Sequence, residues 1–256
     1  MVEASEIVAP IVLADRLEGS LYSVTGDILG TCFSIGGGFC LTAGHVANEI
    51  RHRPASKLAV IGFRQEGRWI GAEVAECEVL GADVGVLKFM FAEGVEGSDA
   101  PTFAWSVQPL PLLATVKSIG YPFGSTFVDN QLFINPRAFQ GHVVSSLSRY
   151  QPVGFEGAPF VVYELSFAAP RGLSGAPLLF GEAPTVVRGL VIGNSQSEMR
   201  VHQSTERISE VESKTTVEHF EWLRLGVAVQ SPHAASLNSA LLGGSVVHHL
   251  HQQGLL

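Results

Sequence analysis

The sequence predicts an all-β protein made of many short strands, with a short helix near its end. Charged residues make up only 16% of the 256 positions, while 28 glycines and 13 prolines divide the chain into brief apolar runs. Short strands joined by tight turns have this composition. Long helical periodicity is scarce. It is confined to residues 232–242, where Pro232 stands at a helix-start position after Ser231 and Ala and Leu recur at helical spacing before Gly243-Gly244. The length suits one large β unit with a substantial core, within the range of roughly 250 residues seen for single all-β units.

Along the chain, the apolar run at residues 7–14 is long enough to imitate the core of a signal peptide. Glu3 and Glu6 stand where positive charge belongs, however, and no Lys or Arg precedes the run. It reads as a first strand. Phe39 to Ala43 is a second apolar strand, ending just before His45, with Val46-Ala47-Asn48 able to start a helical turn. Val84 to Phe89 is a third, entered from Asp83. Leu178-Leu179-Phe180 is a fourth, following Gly172-Leu173-Ser174-Gly175-Ala176-Pro177. Residues 195–221 are polar and charge-rich, including Glu198, Arg200, Arg207, Glu210, Glu212, Lys214 and Glu218. They read as a solvated hairpin, or alternatively as a mobile loop over a substrate groove, since lids are commonly polar and weakly packed.

His45, Asp83 and Ser174 have the residue types needed to make a weak alcohol nucleophilic. A serine hydroxyl barely ionises near neutrality, so it needs a base within reach, and that base needs a third group to fix its tautomer and stabilise its cation. The glycines two before and one after Ser174 let the backbone turn sharply and approach a substrate closely. Each segment also has a plain reading when taken alone: a Gly/Pro turn around Ser174, a core histidine bonded to a backbone carbonyl, and an aspartate capping a turn.

Together, in the order His, Asp, Ser, the three segments resemble the chymotrypsin-like (trypsin-like) serine peptidases, whose motifs are T-A-x-H, a D-(I/V)-(A/G)-(L/V)-(L/I) strand and G-x-S-G-(G/A)-P. The likeness extends from about residue 28 to 242. Ser118 to Gly124 (S-I-G-Y-P-F-G) resembles a turn that opens the second barrel in bacterial proteases of the high-temperature-requirement (HtrA) type. Residues 187–193 resemble their cleft strand, and residues 225–229 the segment before their closing helix. The resemblance implies two packed six-stranded antiparallel β-barrels in one peptidase domain over 1–256, with the first barrel at about 1–98, the second at about 99–230, and a helix and tail at 231–256. It further implies that His45 is the general base and acid, that Asp83 orients it, that Ser174 is the nucleophile, and that the N–H groups of Gly172 and Ser174 form an oxyanion hole. No metal or organic cofactor is needed for this chemistry. Too few residues follow Gln230 for a peptide-binding PDZ module.

Departures from the family pattern refine the expectation. Leu173 replaces the aspartate that pairs with a new N-terminus in secreted members, so activation by that ion pair is not expected. Ala168 stands where trypsin-type enzymes place an acid, and Val191 where members selecting acidic residues carry histidine. A pocket of Ala168, Ala169, Val191, Ile192, Gly193 and Asn194 implies a preference for small or medium apolar residues at the cleaved position.

Formal net charge is −8, which gives no chain-wide attraction to nucleic acid or anionic membrane. Arg51-His52-Arg53 is the densest basic spot and reads as a solvated loop. No apolar stretch approaches the roughly 18 residues needed to cross a bilayer. Three cysteines, Cys32, Cys40 and Cys77, are an odd count for a disulfide scaffold. Reduced thiols and a cytoplasmic protein are expected, bacterial by the resemblance, with a protein or peptide as substrate and room for a regulatory partner protein. His248, His249 and His251 have spacings a metal could use, but no nearby acid or thiol completes a set, and they read as a solvated or frayed tail. Two other functions remain open. One is a protease fold kept as a silent binding or scaffolding module. The other is an esterase, which should show a G-x-S-x-G elbow and the chain order Ser, Asp, His, opposite to the order here.

Overall fold

The computed structural model describes residues 4–17, 22–65, 67–91, 100–122, 126–128, 131–152, 155–181, 186–208 and 213–256. After a single helical turn, α1 (Ala4–Ile7), six strands close a first barrel: β1 (Val8–Arg16), β2 (Tyr22–Gly36), β3 (Phe39–Ala43), β4 (Leu58–Gln65), β5 (Arg68–Val79) and β6 (Val84–Phe91), in the order β1-β2-β3-β6-β5-β4. The apolar run expected to open the chain is β1, buried along most of its length between β2 and β4. Phe33, Ile35, Leu41, Ile61 and Leu87 fill the interior with no exposure. A helix, α2 (Gly44–Arg51), leaves the end of β3 and packs its buried face, Val46, Ala47 and Ile50, on the barrel.

The second barrel contains β8 (Thr115–Gly120), β11 (Arg137–Tyr150), β12 (Phe160–Leu165), β13 (Pro177–Phe180), β14 (Val186–Ile208) and β15 (Ser213–Gln230). Their order is β13-β8-β11-β12-β15-β14, and pairing of β13 with β14 closes the ring. A two-residue strand, β7 (Ala104–Trp105), adds to β14 in parallel, and β9 (Thr126–Val128) with β10 (Gln131–Phe133) forms a separate small hairpin. Of the segment expected to open this barrel, Ser118 to Gly120 ends β8, while Phe123 and Gly124 lie outside the described residues. Tyr163, Leu165, Val116 and Leu178 fill the core. The Tyr163 hydroxyl, buried among them, accepts the Leu110 N–H at 2.6 Å, so its polar atom is satisfied. The fold is therefore all-β, with two six-stranded antiparallel barrels.

Residues 195–221 belong to a long antiparallel hairpin, β14 on β15, paired from Gly189↔Gln230 out to Ile208↔Ser213. Glu210 and Glu212 lie outside the described residues.

The end of the chain differs from expectation in two places. The helix expected over residues 232–242 is helical only in α3 (Ser231–Ser236). It stops because the Glu78 carboxylate collects the Ser239 hydroxyl at 2.6 Å, the Ala240 N–H at 3.0 Å and the Leu241 N–H at 3.1 Å. Those bonds hold residues 239–241 in a turn between β16 (Asn238–Ser239) and β17 (Gly244–Ser245). The histidine tail is not frayed. It forms α4 (Val246–Gln252), whose Ser245 side chain accepts the His248 N–H. His249 is 5% exposed, lies edge-on to Phe39 and has Nε2 at 3.1 Å from the Ile35 carbonyl. An imidazole one turn into an amphipathic helix can thus serve as a packing residue. Cys32 and Cys40 are buried, Cys77 is half-buried, and all three are free.

Candidate active site

Asp83 sits on a turn that no glycine or asparagine announces. Val84 N–H bonds the Gly81 carbonyl at 3.2 Å, and the two central residues are both left-handed, Ala82 at φ 57° and Asp83 at φ 53°. Two positive φ values make a type I′ hairpin turn, and L-residues adopt that conformation at a cost on the order of 1 kcal/mol or more each. The strain aims the aspartate at the start of α2. Ala43, the helix N-cap, contributes no side-chain bond, and Asp83 takes over that role from across the sheet. Its carbonyl accepts Gly44 N–H at 2.8 Å and its Oδ1 accepts His45 N–H at 2.7 Å, satisfying donors that a helix start leaves open. The other carboxylate oxygen, Oδ2, lies 2.9 Å from His45 Nδ1. One aspartate therefore caps the helix and holds the imidazole it carries.

The Asp83 side chain is 14% exposed and that of His45 50% exposed, so the ring's remaining nitrogen is open to solvent and substrate. Burial disfavours the imidazolium, but the Asp83 hydrogen bond and charge, with Glu49, outweigh it and raise the pKa of His45 above the ordinary value.

The Ser174 segment is held in a different way. Leu173 N–H bonds the Pro170 carbonyl at 3.0 Å and Gly172 has φ +92°. A positive φ at the third position marks a type II turn, which reverses the Arg171–Gly172 peptide relative to a type I turn. A Cβ on Gly172 would meet the Tyr121 carbonyl at 2.5 Å, so only glycine fits. Leu173, fully buried in the second core, anchors the loop where an acid was noted as missing. On its other side the loop docks against the first barrel through Thr31 of β2. Thr31 N–H donates to the Ser174 carbonyl at 2.8 Å, and its hydroxyl donates to the Gly172 carbonyl at 2.7 Å while accepting Tyr121 N–H at 3.0 Å. Gly175 is tighter still. A Cβ there would lie 2.0 Å from the Thr31 carbonyl and 3.0 Å from Ala43 N, two residues before His45. The fold thus brings the Ser174 loop, His45 and Asp83 together at the barrel junction. The His45–Asp83 bond is formed; among the described residues, no hydrogen bond joins the Ser174 hydroxyl to His45, and the N–H groups of Gly172 and Ser174 donate to no protein acceptor.

Beside this junction runs a cleft of about 340 Å³. His45 and Asp83 form its first wall, Ile192, Gly193 and Asn194 of β14 a second, and Tyr150, Pro152 and Phe155 a third. Among the other residues expected to line a pocket, Ala168 is exposed and Ala169 is 5% exposed. The Asn194 amide ties Ala169 to β14, with Oδ1 accepting Ala169 N–H at 2.6 Å and Nδ2 donating to its carbonyl at 2.7 Å. Val191 has no exposed surface. Its main chain meets the nucleophile loop, accepting Gly175 N–H and donating to Ala176 O, both at 2.8 Å. The third wall and Thr31 escaped the sequence reading. The run Tyr150-Gln151-Pro152 at a strand end, with Phe155 three residues on, was a visible but weak signal; nothing around Thr31 distinguished it.

No family model matches the chain, and no curated protein matches it in sequence. Solved structures do match. Deg5 aligns over 74% of this chain and 80% of its own at 17% identity, with a TM-score of 0.51. The MamO protease domain from Magnetospirillum magneticum covers 88% of this chain and 92% of its own at 13% identity, TM-score 0.51. Rv3671c from M. tuberculosis, in an inactive mutant form, covers 98% and 87% at 17% identity, TM-score 0.50. At these identities the likeness is one of fold. The chain has the two-barrel fold of the trypsin-like proteases.

Proposed function

We propose that the chain is a serine endopeptidase that cuts protein or peptide substrates through an acyl-enzyme. The observation that carries this reading is the Asp83–His45 pair, 2.9 Å apart, beside a Ser174 loop whose glycines fit no other residue. In the proposed cycle His45 takes the Ser174 proton as the hydroxyl attacks the substrate carbonyl, and Asp83 stays ionised and stabilises the imidazolium. The Gly172 and Ser174 N–H groups receive the oxyanion. A donor of this kind lowers the barrier by roughly 3 kcal/mol, and the type II turn supports the assignment because it sets the direction of the Gly172 peptide. His45 then protonates the leaving amine, and water repeats the sequence on the acyl-enzyme. In substrate-free structures the hydrogen bond between nucleophile and base is commonly long and tightens when substrate binds. The pocket bounded by Ala168, Ala169, Ile192, Gly193 and Asn194, with the Val191 main chain behind it, supports a preference for small or medium apolar residues at the cleaved position. A cytoplasmic site of action remains part of the proposal.

A silent binding or scaffolding module is the second reading, and the missing Ser174–His45 hydrogen bond is the observation that favours it. Comparing new protein N-termini in cells expressing the protein or its Ser174→Ala variant separates the two. The peptidase reading expects cleavage products present only with the intact serine, following apolar residues. Identical N-termini in both samples would sink it.

A further inference from the structure

The third wall of the cleft has no part in the chemistry above. Tyr150 closes β11, and Pro152 and Phe155 follow in the connection to β12. This connection is braced. Phe155 N–H donates to the Pro152 carbonyl at 3.1 Å, and Gln151 Nε2 donates to the carbonyls of Phe155 at 3.1 Å and Gly157 at 3.3 Å. The rings of Phe155 and Tyr150 stand edge-on to Phe160, with centroids at 5.3 and 5.7 Å, and Phe160 is 1% exposed. Two half-buried aromatic rings are therefore propped on a buried one and face the cleft. Burial, then the nearby Glu164 and Asp83 charges, push the Tyr150 phenol up, so its ring stays neutral beside the His45–Asp83 pair.

Opposite the rings, β14 offers bare backbone. A Cβ on Gly193 would touch nothing within 4 Å, and among the described residues no strand pairs with β14 beyond Leu190 on the side away from β15. An extended peptide can add to such an edge, and its alternate side chains then share one face. When a carbonyl is held at Ser174, the side chain lying along His45 and Tyr150 belongs to the residue just upstream. The next on the same face lies two residues further upstream.

We propose, resting on the peptidase reading, that Tyr150, Pro152 and Phe155 form a second selecting subsite. It takes a large apolar side chain, aromatic or branched aliphatic, at the position immediately upstream of the cleaved residue and again two positions further upstream. The preference of this chain is then set by two apolar contacts on one face of the substrate as well as by the pocket at the cleaved residue.

The test is binding of uncleaved hexapeptides to the full-length Ser174→Ala protein by titration calorimetry, with Phe or Leu at those two positions compared with Gly. The Phe and Leu peptides should bind at least about tenfold more tightly. Phe155→Ser should erase most of that difference and Phe155→Leu should keep it. Pro152→Asp, a substitution at a partly exposed position, should erase it independently if Phe155→Ser fails to fold. The exposed Leu112→Ala is the control and should leave the ratio alone. Equal binding of the Phe, Leu and Gly peptides would overturn the subsite. Fluorophosphonate labelling of the wild-type protein is run alongside. An unlabelled protein that still shows the preference would defeat the peptidase reading and leave the subsite standing; a labelled protein with a flat profile would do the reverse.

Discussion

The two halves of the candidate site are built by opposite means. The His45–Asp83 half is polar and local: a strained turn aims a carboxylate, and three hydrogen bonds from it set the helix start and the ring. The Ser174 half is held by apolar anchoring and close backbone contact, with Leu173 in one barrel's core and Gly175 pressed against the other barrel. The first half should therefore respond to pH and to single-atom changes in charge. The second should respond to volume, and its failure should carry the whole fold with it.

The largest effect is expected at Gly175. A Cβ at 2.0 Å from the Thr31 carbonyl meets backbone that cannot swing aside, at φ +89°, so Gly175→Ala should cost on the order of 4 kcal/mol or more and leave little folded protein. Circular dichroism melting would check this, and an unchanged melting curve would remove the idea that the barrels dock through this contact. Leu173→Ala should lose about 2–5 kcal/mol in urea denaturation, the usual range for emptying a buried leucine site. A loss below about 1 kcal/mol would mean that the loop is anchored by something else.

Thr31 lies between the two regimes, a polar residue of the first barrel that clamps the apolar-anchored loop of the second. Thr31→Val keeps the shape and leaves the Gly172 carbonyl and Tyr121 N–H without their partner, at a cost of about 1–3 kcal/mol. If the hydroxyl positions the oxyanion turn, kcat should fall with little change in KM, and Thr31→Ser should restore it. Equal stability loss in both variants without the kinetic split would mark the hydroxyl as structural only.

The polar half makes a prediction about pH. The Asp83 bond and charge raise the His45 pKa in the folded protein, so the free base forms only above the ordinary histidine range near 6.5. Activity should climb with pH through a midpoint above that range, and Asp83→Asn should lower activity by orders of magnitude and move the midpoint down. The stabilisation from the charged pair is complete below the unfolded-state pKa and fades as pH rises through the folded one. The smallest effect is at Ala82, where glycine would relieve the left-handed strain. Ala82→Gly should gain up to about 1 kcal/mol, the strain released being partly offset by glycine's entropy.

The same contrast decides what could be read from the sequence. The strands were legible because they are apolar runs bounded by Gly and Pro, as at β1 and β3, and the site segments were legible because glycines flank Ser174 at fixed positions. The turn at Ala82–Asp83 was not, since its conformation comes from the sheet on either side and from the bonds that Asp83 makes to α2. The C-terminal helix was overextended because its limit is set by Glu78, remote in sequence. Thr31, the aromatic wall and the buried His249 all act through partners more than a turn or a strand away, and local patterns carry no trace of such partners.

The most direct measurement is the location of a covalent adduct. After reaction of the folded wild-type protein with a fluorophosphonate, peptide mass spectrometry should place the phosphonyl group on Ser174, and His45→Ala should slow its formation by orders of magnitude. A folded protein that takes up no label, or carries it on another residue at a rate indifferent to His45, would contradict the account.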